Sequence, residues 1–324
     1  MGDPAGIGIE IALLAFAQRE MLKLPPFVLF ADPDLIRARG PNVPLQILNG
    51  ANLENDFANA LPVMPVRLFR PVIPGRPDPA HAPAIIAAIE QAVAAVHRGE
   101  ASAVVTNPIS KKPLLDAGFP HPGHTEFLGE LAERLTGIKA QPVMMLASDL
   151  LRVVPVTVHI PLADVPKRLT TALIIETARI TERALRLDFG IAHPRLAVTG
   201  LNPHAGEGGA LGLEDAAVIA PAVAELQRQG LAVTGPHPAD TLFHAAARVR
   251  YDVALAMYHD QALLPLKTLS FDDGVNVTLG LPFVRTSPDH GTAFDIAGTG
   301  KASPASLIAA IRLADRLARN RALA

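Results

Sequence analysis

Short apolar runs alternate with long helical stretches along most of this chain, and that alternation limits what it can fold into. Ala103 to Thr106, Pro142 to Ala147, Leu151 to Val158, Leu196 to Thr199, Val253 to Met257 and Val275 to Leu279 are aliphatic and β-branched, and read as strands. Between them, Ala82 to His97, Thr125 to Leu135, Thr171 to Leu187, Leu213 to Arg228 and Ala305 to Arg319 carry apolar residues at helical spacing, with Thr125 expected as an N-cap. Strands separated by helices of this length predict an α/β fold with a largely parallel sheet, in which ligands bind beyond the carboxyl ends of the strands. The 324 residues are expected to form two α/β/α lobes with a cleft between them. Residues 1–124 and 265–324 are assigned to one lobe and 125–264 to the other. Gly2 to Glu10 reads as a loop entering a helix from about Ile7 to Arg19, and a unit of this kind predicts a first strand ahead of Met1.

Composition narrows the function classes. Hydrophobic residues make up 49% and charged residues 19%, enough apolar material for a sizeable core. A formal charge of −2 supplies no basic field for nucleic acid or an anionic membrane. Cysteine is absent, which excludes disulfides, a thiolate nucleophile and thiolate-held zinc. No run of about 18 apolar residues and no basic-then-apolar leader pattern is found, so a cytoplasmic protein without a membrane span is expected.

Three histidines stand just past the ends of expected strands. His159 follows Val158, His204 follows Leu196 to Thr199 within the loop GLNPHAGEGGALG, and His259 follows Tyr258. Neutral imidazoles suit a divalent cation and leave coordination positions open for a substrate. The alternative for each is a loop histidine with one backbone hydrogen bond. Asp260 is read either as a carboxylate orienting an imidazole or as a proton acceptor. Asp240 is read as a second proton acceptor or as a helix N-cap before Leu242. The glycine stretches are not nucleotide fingerprints: G-x-G-x-x-G would need glycine at 211 or 11, where Leu211 and Ile11 stand, and no Gly-Lys-Ser/Thr follows. No residue is therefore assigned to binding a dinucleotide.

His124 and Thr125 stand at an expected helix N-terminus, where free amides and the helix dipole suit an anion. Lys267, Asn276 and Arg285 lie nine residues apart in apolar segments, a setting that suits a phosphate or carboxylate partner. A structural salt bridge is the alternative for Arg285.

Together, GDPAGIG, TNPISK, GHTEF, GLNPHAGEGG, PADT, AMYHDQ and KTLSFDDGVNVTLGLPFVRTSPDHGTAFDIAG resemble the 4-hydroxythreonine-4-phosphate dehydrogenase family of pyridoxal phosphate biosynthesis, from Gly2 to about Ile311. The resemblance implies two lobes similar to isocitrate and isopropylmalate dehydrogenases, without a Rossmann fingerprint. It implies a homodimer with its active site at the subunit interface. It implies a divalent metal (zinc, magnesium or cobalt) held by His159, His204 and His259, one of them given across that interface. It matches substrate contacts to His124, Thr125, Lys267, Asn276 and Arg285. One departure is Ile9, where the family has proline. The implied reaction is NAD- or NADP-linked oxidation of 4-phosphooxy-L-threonine at its C3 hydroxyl. The product, 2-amino-3-oxo-4-phosphooxybutanoate, then decarboxylates to 3-amino-2-oxopropyl phosphate. Lys267, Asp260 and Asp240 are the candidate bases. The rival readings are a dehydrogenase of 4-phosphoerythronate or phosphothreonate, a phosphate acyltransferase, and a non-catalytic binder of metal or phosphate.

Overall fold

The computed structural model describes residues 1–49, 57–121 and 123–324. Its first elements are α1 (Gly8–Ala17), α2 (Arg19–Leu22), β1 (Leu29–Ala31), α3 (Pro33–Arg39), β2 (Leu45–Ile47), β3 (Leu61–Pro65), α4 (Ala82–His97), β4 (Ala103–Val105), α5 (Lys111–Asp116) and α6 (His124–Thr136). Then come β5 (Val143–Ala147), β6 (Arg152–Thr157), α7 (Val165–Arg168), α8 (Thr171–Leu187), β7 (Arg195–Thr199), α9 (Ala220–Arg228) and β8 (Ala232–His237). The last are α10 (Ala245–Arg248), β9 (Val253–Tyr258), α11 (His259–Leu269), β10 (Val275–Leu279), β11 (Val284–Pro288) and α12 (Ala305–Leu323).

The chain divides into two compact units. One comprises Met1–Pro142 with Leu281–Ala318, the other Val143–Gly280 with Arg319–Ala324. The crossings fall at 142, 280 and 318, whereas the sequence placed them at 124 and 264. The reason lies in packing. Helix α6 puts Phe127, Leu128 and Leu131 against Ile85, Ile89 and Val93 of α4, which keeps residues 125–142 in the first unit. Helix α11 puts Ala262, Leu263 and Leu266 among Val153, Ala254 and Ala256 of the second.

In the first unit β1, β3 and β2 form a parallel sheet in the order β1-β3-β2, and β4 pairs in parallel with β11, Val104 opposite Arg285. Ile9, Ile11, Phe16, Ile36, Leu61 and Val63 form the core around the small sheet. A cavity of about 570 Å³ is lined by residues of β1, β4 and α12. The stretch Pro79–His97 is long and apolar enough to cross a membrane, with mean hydropathy 1.3. Eight of its residues, His81, Ile85, Ile89 and Val93 among them, are instead buried in this unit.

In the second unit the strand order is β10-β5-β6-β9-β7-β8. β10, β5 and β6 run antiparallel to their neighbours in turn, and β6, β9, β7 and β8 are mutually parallel. Parallel strands buried on both faces need continuous apolar runs, and β9, Val253–Tyr258, is buried through Met257. Thr170 caps α8, its hydroxyl accepting from the Leu173 N–H at 3.1 Å. Two sequence expectations change in detail. Thr125 is not a cap: Gly123 holds that position in extended backbone, and α6 starts at His124. The stretch Leu213 to Arg228 is not one regular helix, because a π-helical turn, Asp215–Ile219, precedes α9.

Candidate active site

The parallel strands of the second unit end at a shared edge, and their exits carry the three histidines. Thr157 of β6 lies opposite Tyr258 of β9, so the residues that follow on each strand emerge side by side. His159 and His259 accordingly come together, with ring centroids 5.6 Å apart and planes tilted by 43°. The Thr157 hydroxyl donates to the Met257 carbonyl at 2.7 Å, fastening the two exits. The His259 Nδ1 is 2.7 Å from an Asp260 carboxylate oxygen. A carboxylate there favours the tautomer with hydrogen on Nδ1 and leaves the Nε2 lone pair for a cation. The two rings, Thr157, Leu162 and Tyr258 line a cavity of about 230 Å³.

His204 reaches its place by a different route. From His204 to Gly208 five consecutive residues have left-handed backbone, with φ of 53, 50, 78, 42 and 67°. Such backbone costs an L-residue roughly 1–2 kcal/mol, and glycine nearly nothing. This explains the glycines at 206 and 208, but His204, Ala205 and Glu207 are held against their preference. Asp215, 2% exposed, does much of the holding. Its carboxylate accepts from the Leu201 N–H at 2.8 Å, the Asn202 N–H at 3.2 Å and the Asn202 side-chain amide at 2.9 Å. Among the described residues no three His, Asp or Glu side chains gather closely enough to hold a metal. One chain thus unites His159 and His259 and does not bring His204 to them.

Of the other residues singled out in this unit, Asp240 lies in a 3-10 turn, Ala239–Thr241, with Pro238 as its N-cap, so it does not cap a helix. Lys267 sits near the end of α11, its Nζ 5.7 Å from the Phe271 ring centroid. Asn276 lies within β10 opposite Leu146.

The anion-binding candidates His124, Thr125 and Arg285 lie in the first unit. His124 opens α6, with Thr125 next in the first turn. Arg285 on β11 is 4% exposed and donates to the Thr106 hydroxyl from Nε at 3.2 Å and from Nη2 at 2.5 Å. Burial lowers its pKa to about 10. Burial first, and then the positive charge of Arg285, holds the His124 imidazolium well below its ordinary range, so the ring is neutral. The His124 Nε2 is buried with no hydrogen-bond partner among the described residues. A neutral imidazole and a guanidinium in a positive, desolvated setting favour an anion.

Sequence reasoning gave several residues of the first unit no role. Asp3 and His81 are 2% and 3% exposed, and burial raises the Asp3 carboxyl above the usual range. The His81 Nδ1 and the Asn107 Oδ1 are buried and unpartnered among the described residues, while the Asn107 amide donates to the Gly8 carbonyl at 3.2 Å. Asp3 and Asn107 stand inside GDPAGIG and TNPISK, so the motifs pointed at the region without separating these side chains from their neighbours. In the second unit Asp215 and Gln261 were missed. Asp215 follows the histidine loop by several residues in a stretch that reads as plain helix.

The family model for pyridoxal phosphate biosynthetic protein PdxA matches residues 23–314. The chain belongs to that family. A 4-hydroxythreonine-4-phosphate dehydrogenase of Xanthobacter autotrophicus is 55% identical over 322 residues, covering 98% of this chain and 92% of the relative. One of Methylorubrum extorquens is 57% identical over 324 residues, covering 98% and 93%. A solved 4-hydroxythreonine-4-phosphate dehydrogenase of Klebsiella pneumoniae superposes with a TM-score of 0.87 at 38% identity, covering 98% of both chains. A terephthalate 1,2-cis-dihydrodiol dehydrogenase of Burkholderia xenovorans has a TM-score of 0.66 at 33% identity, covering 98% and 96%. PdxA-family membership makes this chain an oxidoreductase of pyridoxal phosphate biosynthesis.

Proposed function

We propose that the chain oxidises 4-phosphooxy-L-threonine at its C3 hydroxyl with NAD or NADP, giving 2-amino-3-oxo-4-phosphooxybutanoate, which decarboxylates to 3-amino-2-oxopropyl phosphate. The observation that carries this reading is the His159–His259 pair at the mouths of two parallel strands, with Asp260 set against the His259 Nδ1. The imidazole donor set fits zinc or cobalt; magnesium, the third cation the resemblance implies, prefers oxygen ligands and fits it less well. His159 and His259 supply two imidazoles from one chain, and His204 supplies the third from the partner of a cytoplasmic homodimer. A cation held by these histidines would supply acidity to the substrate hydroxyl and stabilise the charge left on loss of carbon dioxide, and a bound nicotinamide would supply the hydride acceptor.

The chain's own residues do the rest. Asp260 is engaged with His259 and acts as its orienter, which leaves Lys267 and Asp240 to take the hydroxyl proton. His124, Thr125 and Arg285 hold the phosphate: a neutral imidazole donates a hydrogen bond without a counter-charge of its own, and the guanidinium supplies the charge. Asn276 and Lys267 contact the remaining polar groups of the substrate.

The test is nicotinamide reduction, followed by absorbance, with 4-phosphooxy-L-threonine, 4-phosphoerythronate and phosphothreonate, each with NAD and with NADP. Turnover of the first in the presence of a divalent cation, and its loss in His204→Ala, is the expected result. Preference for a sugar acid would replace the substrate, and undiminished turnover by His204→Ala would end the metal reading. Mixing inactive His204→Ala and His259→Ala chains should restore part of the activity if each site draws on two subunits.

A further inference from the structure

The backbone ladder between β7 and β9 stops short of the strand ends. Its register runs Leu196 opposite Val253, Ala197 opposite Ala254 and Val198 opposite Leu255. Beyond that point a side chain spans the gap. The Gln261 carboxamide oxygen accepts from the Met257 N–H at 2.7 Å, and its amide donates to the Gly200 carbonyl at 2.8 Å. One carbonyl and one N–H thus stand where a peptide group of a neighbouring strand would stand, and they carry the ladder onward after the backbones part. The same oxygen also accepts from the Thr199 hydroxyl at 2.7 Å.

What these bonds fasten is specific. Met257 lies two residues before His259, and Gly200 four residues before His204. Gly200 is gripped from its other side by its own N–H, which donates to the His237 carbonyl of β8 at 2.7 Å. A Cβ at Gly200 would lie 2.6 Å from an Asp215 carboxylate oxygen and 2.7 Å from the Ala205 Cα, so the backbone here has a single seat. We infer that Gln261 is a positioning residue: within one chain it sets the exit of the His204 loop, whose imidazole serves the partner's site, against the exit that carries His259 into its own. This rests on the reading of His204 and His259 as cation ligands.

Gln261 acts through the two backbones, by its bonds to the Met257 N–H and the Gly200 carbonyl. Gln261→Met keeps the length and removes all three bonds. Gln261→Glu keeps the acceptors but turns an oxygen toward the Gly200 carbonyl. Thr199→Val removes one bond only and serves as a milder perturbation.

The probe is cobalt(II), titrated into metal-free protein and read by its visible d–d absorption. Amide hydrogen exchange at Met257 and Leu201 is followed in the same metal-free samples. For Gln261→Met and Gln261→Glu we expect cobalt affinity to fall about ten-fold or more, as for loss of a group that orients metal ligands. The d–d band should change shape, and the Met257 and Leu201 amides should exchange faster. Thr199→Val should lie between these variants and wild type. Unchanged affinity and band shape in all three variants overturn the assignment, as does unchanged exchange at Met257. Failure of wild-type protein to take up cobalt is a different result: it removes the cation reading itself, and this role for Gln261 with it.

Discussion

Replacing Asp215 by alanine tests how the left-handed loop is held. The substitution removes a carboxylate that accepts from the Leu201 N–H, the Asn202 N–H and the Asn202 amide. Hydrogen bonds to a charged group are worth about 1.5–3 kcal/mol each, before relaxation. Two effects reduce the net loss. Leu201 and Asn202 are only half-buried, so water can reach their donors once the loop loosens. Releasing His204, Ala205 and Glu207 from left-handed backbone also returns roughly 1–2 kcal/mol for each. The global cost should therefore be about 2–3 kcal/mol, well under the gross value of three bonds, with the loss concentrated in the loop. Urea unfolding of the metal-free variant measures the first quantity. Limited proteolysis between Leu201 and Leu213 measures the second, and cleavage there should become fast in the variant and stay slow in wild type. Asp215→Asn should lose nearly as much, because its amide turns donors toward donors. A stability loss under 0.5 kcal/mol with no new cleavage would show that the loop holds its shape without Asp215, and the clamp argument would fail.

Other outcomes follow from buried charge. Arg321 near the end of α12 binds the Asp188 carboxylate at two points, 2.6 and 2.7 Å, and Asp188 is 4% exposed. Arg321→Ala strands that charge and should cost about 2–3 kcal/mol in urea unfolding, part of it recovered in the Asp188→Asn, Arg321→Ala double variant. The His124 imidazolium is depressed in the folded state, so between that value and the ordinary 6.5 the unfolded chain carries the extra proton. Stability is then highest above about pH 6.5 and falls as pH drops below it, by about 1.4 kcal/mol per pH unit relative to His124→Gln. Parallel stability curves for wild type and His124→Gln between pH 7 and 5 would show that the ring is not held neutral.

Much of this architecture was legible in the residues because burial leaves a periodic trace. The helix Ala82–His97, the helix Thr171–Leu187 and the strand Val275–Leu279 fall where spacing placed them. The short strands β1 and β2 left too few residues for a period to show, and the π-turn at Asp215 looks like ordinary helix in sequence. The pairing of His159 with His259 follows from β6 and β9 being neighbours, a fact of topology that a separation of a hundred residues does not reveal. Strand ends marked where histidines would stand. What fixes them, Thr157, Gln261 and Asp215, was invisible, because a hydrogen bond between side chain and backbone leaves no pattern along the chain.

Two of the three candidate ligands share a trait that separates site from scaffold. His159 has φ of 51° and His204 φ of 53°. Non-glycine residues persist in this region only where their surroundings over-determine them, and such positions cluster at functional sites. If that backbone is fixed by the strand exits and the Asp215 clamp rather than by the imidazoles, glycine should suit both positions better than alanine does. Glycine is about 0.5–1 kcal/mol worse than alanine in ordinary helix or strand, but at positive φ the Cβ penalty of roughly 1–2 kcal/mol falls on alanine. His159→Gly and His204→Gly should therefore each be about 1 kcal/mol more stable than the matching alanine variant in metal-free urea unfolding, while binding cobalt no better. Alanine variants as stable as the glycine ones, or more so, would mean that the backbone relaxes once the imidazole is gone. The histidines would then shape their own loops, and the strain would be a consequence of the side chains rather than a frame prepared for them.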